Sequence, residues 1–544
     1  MRSRVIAIVF ALLLCDCYAP LCAAQQTLEG SWIGGLDSGK DWLPIIVHFK
    51  NEPQGLTATL EAPRFGLTNQ ALKQVKAESS RVHFEWQRQV GVGVFDGEFK
   101  DGGITGSYQR GDVRSRFVLV RVVKTTPQIL ERYAGSYRLA PDRFLDIGMF
   151  DDMRLWFADS KTRRVGALNP ASETEFSAGE SVDIPFPIGV RVNFVKNNRG
   201  EVTGLAWSES GSRATVAKKV NPYKREQITF RNGNATLTGD LLLPATRGRH
   251  PAIILAGEGY FLSNESMGFY RYFFLRQGLA VLTLGERKVN GAKTDYTRTS
   301  FEERAKDLVA GVQSLKARAD INPKRIGLYG DSQTAWITPL AATLSTDVAY
   351  LILRVSSALP QPENILFEIE NDLRRNNFSE SDITRAKALR RQLSAAILTN
   401  TGWEEIKAEI EKSKNEKWFG YARVGWLSSV ATPPDDATLK GLRGSLDYDP
   451  VPVLERVKIP VLAMNGELDE NVPTKISVPV LERALRKAGN ADVTIVVLPK
   501  AGHNFFETDT PYGSEFARKK RYVPGFWDTM ADWLRTRASV KNLN

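Results

Sequence analysis

The chain has 544 residues, more than one hydrophobic core can organise, so several domains are expected. Its 42% apolar and 25% charged content is that of an ordinary soluble globular protein. The net charge of +11 could favour anionic envelope polymers or lipid head groups, but solvated surface charge is the preferred explanation. Nucleic acid is a poor candidate partner, since no basic run interleaved with aromatics stands out.

Arg2 and Arg4 precede an apolar run from Val5 to Leu14, and Cys22-Ala23-Ala24 offers small residues for cleavage before Gln25. Residues 1–24 therefore read as a secretory signal peptide, too short to span a membrane, and no later run approaches that length. The expected address is secreted or periplasmic. Cys15 and Cys22 each follow a leucine rather than a small residue, which argues against a lipid anchor. With Cys17 these are all the cysteines, so the exported chain would carry no thiol, disulfide or cysteine metal ligand.

Residues 25–124 alternate with period two. Pro44–Phe49, Leu56–Leu60, Arg81–Trp86 and Arg116–Arg121 are short strands parted by glycine and asparagine turns, as in a small barrel or sandwich. A second all-β module is expected over residues 125–221, with strands around Phe144–Ile147, Met153–Phe157 and Val190–Val195. Gly30-Ser31-Trp32 and Gly135-Ser136-Tyr137 open the two blocks alike, a faint hint of a repeat. Spacers or covers for a following domain are the expected role of both.

From residue 222 to 544 strands alternate with helices. Apolar runs at Ala252–Leu255, Leu279–Leu284, Ile326–Tyr329, Tyr350–Val355, Pro460–Met464 and Val493–Leu498 suit parallel strands covered on both faces. Ser300-Phe-Glu-Glu303 is a capping box before a helix carrying Phe301, Ala305, Leu308, Val312 and Leu315 at helical spacing. Arg325-Ile-Gly-Leu-Tyr-Gly-Asp-Ser-Gln-Thr-Ala335 reads as strand, sharp turn and helix, with Ser332 at the turn's tip. A serine lifted clear of the backbone there is reachable by a base, and the pattern sought is G-x-S-x-G. Gly330 meets it, while Thr334 replaces the second glycine. Were Asp331 the nucleophile, its flanking positions would be Tyr329 and Gln333, both too large.

Four histidines compete for the role of base. His48 and His83 fall in the first β module, and His250 precedes its strand and so lies at the wrong sheet edge. His503 follows the last strand directly. For the orienting acid, the turn after the strand at Pro460 offers Glu467, Asp469 and Glu470, which spacing alone does not separate. The scattered histidines show no H-x-x-x-H spacing, so no metal and no cofactor are expected.

With Gly330-Asp-Ser-Gln-Thr334, Gly466-Glu-Leu-Asp469 and Ala501-Gly-His503 assembled, residues 223–538 resemble the α/β-hydrolase superfamily, most closely its exported serine esterase and peptidase-like branch. The resemblance implies Ser332 as nucleophile, Asp469 as orienting acid and His503 as base. It implies an oxyanion hole from the backbone N–H of Gln333 and from the loop Ala256-Gly-Glu-Gly-Tyr260, through Glu258 or Gly259. A carboxylate on Glu258 would oppose the developing anion unless it faced solvent. An insertion over about residues 356–446 reads as helices, and in such a fold it would form a lid. Tyr260, Phe261, Trp403 and Trp426 are the aromatics considered for the substrate pocket.

The expectation is thus a multidomain chain: two all-β modules ahead of an α/β-hydrolase domain with a mostly parallel sheet, helices on both faces and a helical lid. Its expected work is hydrolysis of a small ester. The alternatives are a serine peptidase or aminopeptidase acting on a short peptide with the same three residues, and a degenerate hydrolase kept for binding.

Overall fold

The computed structural model describes residues 28–39, 42–88, 91–150, 154–220, 223–256, 268–294, 298–425, 433–511 and 513–538. The leader, the loop holding Glu258, Gly259, Tyr260 and Phe261, and Trp426 lie outside the described residues.

Between Gly30 and Val122 nine strands form one antiparallel sheet. Its first strand, Gly30–Asp37, lies between the second, Trp42–Glu52, and the last, Val113–Val122. The far ends approach each other at Leu72, whose N–H donates to Ala58 O at 2.9 Å, so the sheet curls round its own side chains. Alternate residues face that interior, among them Trp32, Phe49, Phe84, Phe95 and Phe117. Phe84 and Phe95 stack with centroids 4.5 Å apart.

The second β unit follows a short helix, Pro127–Tyr133, and is a closed eight-stranded barrel between Gly135 and Val220. Here too the first strand pairs with the second and the last, so Gly30-Ser-Trp and Gly135-Ser-Tyr open topologically equivalent strands. Tyr137, Phe157, Phe176, Phe194 and Trp207 fill the interior.

The third unit is built on a nine-stranded sheet. Its main path runs, in spatial order, through Tyr223–Asn232, Ala235–Pro244, Ala280–Val289, His250–Ala256, Ile321–Asp331, Tyr350–Arg354, Val461–Gly466 and Val493–Leu498. The first two pairings are antiparallel and the rest are parallel. Two-faced burial explains the continuous apolar runs: Ile253 and Leu255 join the core on one face, Ala252, Ile254 and Ala256 the core on the other. Helices Tyr270–Arg276 and Phe526–Arg537 cover the first face, and Phe301–Lys316, Thr334–Leu344 and Thr474–Lys487 the second. The Ser300 capping box forms as its spacing predicts.

Helices Gln361–Arg375, Glu380–Thr399, Trp403–Ser413 and Asp436–Leu446 lie between strands Tyr350–Arg354 and Val461–Gly466. They enclose a core of their own around Ile369, Leu389, Leu393, Trp403 and Trp418. The barrel shares a core with the α/β unit: Trp156, Val165 and Val182 belong to the cluster that holds Phe269, Tyr270 and Trp527. The first β unit touches more lightly, through Trp42, Val118 and Ala517 and an Asp37–Arg518 ion pair.

Candidate active site

Strand Ile321–Asp331 ends against helix Thr334–Leu344, and the connection leaves room for only two residues. Ser332 takes φ 52°, left-handed backbone that a non-glycine residue adopts at a cost. The tightness explains Gly330, where an added Cβ would lie 2.3 Å from Thr338 Oγ1 and 2.7 Å from Thr334 O. Thr334 stands fully buried where the pattern has its second glycine. Its hydroxyl accepts from Asp331 N–H at 2.7 Å and also meets Ala256 O, so it ties the turn to the end of the neighbouring strand. A threonine therefore fits where the pattern has glycine, because its hydroxyl serves two backbone groups.

Ser332 Oγ lies 3.1 Å from His503 Nε2. The other ring nitrogen, Nδ1, lies 3.0 and 3.1 Å from the two carboxylate oxygens of Asp469. Asp469 Oδ1 also accepts from the N–H groups of Asn471 and Val472, both at 2.8 Å. A carboxylate so fixed accepts a hydrogen bond from Nδ1–H and leaves Nε2 to accept from the serine hydroxyl. Asp469 and His503 are 5% and 7% exposed, so water competes little for these bonds. All three residues follow the carboxyl ends of parallel strands. The turns that carry Asp469 and His503 touch, since a Cβ on Gly466 would sit 2.4 Å from Ala501 O.

The structure separates the three acids that spacing left open. Glu467 is exposed and accepts from Lys500 N–H at 3.0 Å, while Glu470 accepts from the backbone N–H of His503 at 3.1 Å. Asp469 alone of the three bonds the imidazole. Burial and the nearby Asp469 charge push Glu470 above the ordinary carboxylate range.

Gln333 follows Ser332 at the start of the helix, its backbone N–H without an acceptor among the described residues. Its side chain accepts from Arg304 Nη1 at 2.7 Å. Ser332 and Gln333 open into a cavity of about 340 Å³ whose far wall comes from the helical segment, including Glu368, Arg390 and Arg423. Trp403, considered for this wall, does not line it. Its ring is buried in the insertion's own core and its Nε1 donates to Asn400 Oδ1 at 2.9 Å. At the start of a helix with a hydrophobic interior beside it, the ring removes more apolar surface from water inward than it would at a polar cavity. Trp336, on the helix that follows Ser332, supplies an aromatic wall instead.

Sequence reasoning missed Arg354. This residue ends an apolar strand, is 6% exposed, and holds Asp331 Oδ2 at 2.6 Å while donating to His503 O at 3.1 Å. The Asp331 charge beside it keeps the guanidinium protonated against the opposing effect of burial. One buried cation thus links the residue before Ser332 to the main chain of His503. The available signal was a charge at the carboxyl end of a buried strand, next to the edge where the other site residues gather.

Residues 429–538, which include Asp469 and His503 but not Ser332, match the model of the dienelactone hydrolase family. Two relatives match part of the chain. A protein of Escherichia coli O157:H7 named "Putative carboxymethylenebutenolidase" is 31% identical over 135 residues, 23% of this chain and 46% of its own length. Its namesake in Yersinia pestis is 33% identical over 125 residues, 22% and 43% respectively. The chain thus spans about half the length of the relatives it matches. Among solved structures, a Mycobacterium tuberculosis puromycin-hydrolyzing peptidase aligns over 94% of this chain and 79% of its own, at 11% identity and TM-score 0.37. Acetyl xylan esterase 1 from Thermoanaerobacterium sp. JW/SL YS485 aligns over 63% and 86%, at 14% identity and TM-score 0.33. At these scores neither bears on the reading that follows.

Proposed function

We propose that the protein is a serine hydrolase that cleaves carboxylic esters through Ser332, His503 and Asp469. One observation carries this reading: hydroxyl, imidazole and buried carboxylate stand in a single hydrogen-bonded line at one edge of a parallel sheet. His503 Nε2 takes the hydroxyl proton as Ser332 Oγ attacks the acyl carbon, and Asp469 stabilises the imidazolium so formed. The Gln333 N–H, at a helix start, faces the oxyanion. The sequence pattern supports a second donor from the backbone of Glu258 or Gly259, with Tyr260 and Phe261 as residues of the substrate pocket. His503 then returns its proton to the leaving alcohol, and water releases the acyl group by the same steps in reverse.

The helical segment between residues 356 and 446 acts as the lid of this cavity, and the chain works outside the cytoplasm after its leader is removed. The names of the two partial relatives favour an ester over an amide, a butenolide being a cyclic ester. The test is turnover of acyl p-nitrophenyl esters against aminoacyl p-nitroanilides. Ester turnover that disappears in Ser332→Ala is expected; cleavage of the anilides alone would make the protein a peptidase.

A further inference from the structure

Asp469 is aimed by two peptide groups, whose N–H donors on Asn471 and Val472 both reach its Oδ1 at 2.8 Å. These donors belong to the Glu470–Asn471 and Asn471–Val472 peptide units, and the oxygen of each unit is held as well. Glu470 O accepts from Asn371 Nδ2 at 2.9 Å, and Asn471 O accepts from Asn364 Nδ2 at 3.1 Å. A peptide unit is planar and trans, so a donor fixed on its oxygen sets where its N–H points. The accepting carbonyl also polarises the unit and strengthens the bond that the N–H makes. Both side chains come from one helix of the insertion, Gln361–Arg375, where they stand about two turns apart on the same face. Asn364 is buried, and its Nδ2 also donates to Glu368 Oε1 at 2.7 Å, on the wall of the cavity beside Ser332. Asn371 is not part of that wall. An amide suits the task because it donates without charge, whereas a lysine or arginine would bring a cation to Asp469 in competition with the imidazolium.

We propose that Asn364 and Asn371 are positioning residues for the acid of the site: they lock the two peptide units that aim Asp469, so the helical insertion is part of the catalytic framework as well as a cover. This rests on the serine hydrolase reading and adds a control to it, since Asp469 is held in place only while helix Gln361–Arg375 is docked on its turn. The same turn reaches the base, because Glu470 accepts from His503 N–H at 3.1 Å. Neither asparagine exchanges a proton or forms a bond in the reaction.

The full chain would be assayed on an acyl p-nitrophenyl ester as Asn371→Leu, a change of similar size outside the cavity wall. Its kcat should fall about tenfold while KM stays within about twofold. In an Asp469→Ala background the same change should cost less than about twofold, because the group being positioned is gone. Equal losses in the two backgrounds, an unchanged kcat, or a loss confined to KM would overturn the assignment. Asn371→Ala, made alongside, carries the same expectations should the leucine variant not fold. If the wild type turns over no ester, the hydrolase reading fails separately. Hydrogen exchange at the N–H groups of Asn471 and Val472, read by mass spectrometry, needs no turnover and then decides. Exchange about tenfold faster in folded Asn371→Leu and in folded Asn364→Leu supports the lock, and unchanged exchange refutes the role of the residue that was replaced.

Discussion

Ser332 is held in a backbone conformation that costs about 1–3 kcal/mol: its own N–H donates to Arg354 O, and Thr334 ties the residue before it, Asp331, to the turn. Thr334→Val keeps the shape but leaves Asp331 N–H and Ala256 O without their hydroxyl partner. It should cost about 1–3 kcal/mol in urea unfolding, with loss of esterase activity at least in proportion. An unchanged midpoint would show that the hydroxyl does not restrain the turn. Asp469→Asn should preserve the fold but lower kcat about 10⁴-fold, because an amide can favour the wrong imidazole tautomer. Glu470 gives a prediction in pH. Its folded-state proton is held to higher pH than in the unfolded chain, where glutamate ionises near about 4.3. As pH rises through that window the unfolded chain binds fewer protons, so the native state loses stability. Glu470→Gln keeps an acceptor for His503 N–H and removes the charge. Its stability relative to the wild type should therefore rise as pH climbs above about 4.3, and a constant difference would contradict this. Spacing could not choose among Glu467, Asp469 and Glu470, because the turn sends each side chain in a different direction and only its backbone decides which meets the ring.

The strands were readable because burial on both faces demands continuous apolar runs, and Ile326–Tyr329, Tyr350–Arg354 and Val461–Gly466 all carry them. A capped helix was readable from local side-chain chemistry, as Ser300 illustrates. Arg354 was not, since its partners Asp331 and His503 lie 23 and 149 residues away and only the assembled sheet brings them together. Trp403 failed for the related reason that an amphipathic helix does not announce which neighbour its apolar face will meet. At this scale Arg354→Met strands the buried Asp331 charge and should cost about 3–5 kcal/mol. Adding Asp331→Asn should recover part of that loss. Additive losses in a double-mutant cycle, read by urea unfolding, would mean the two side chains are energetically independent.

The barrel and the α/β unit share one hydrophobic cluster, whereas the first β unit meets the rest through a small one. A chain beginning at residue 223 uncovers Phe269, Phe273 and Trp527, and should aggregate or bind a hydrophobic dye strongly. One beginning at residue 125 keeps that cluster covered and should stay soluble and active. Equal behaviour of the two would remove the barrel from the working unit. At the level of the whole protein, everything returns to whether Ser332 is a nucleophile driven by His503. The direct measurement is reaction of the folded chain with a fluorophosphonate, with the adduct located by peptide mass spectrometry. A single adduct on Ser332, lost in His503→Ala while the variant remains folded, is the predicted result. Folded wild-type protein that gains no adduct at Ser332 would contradict the account.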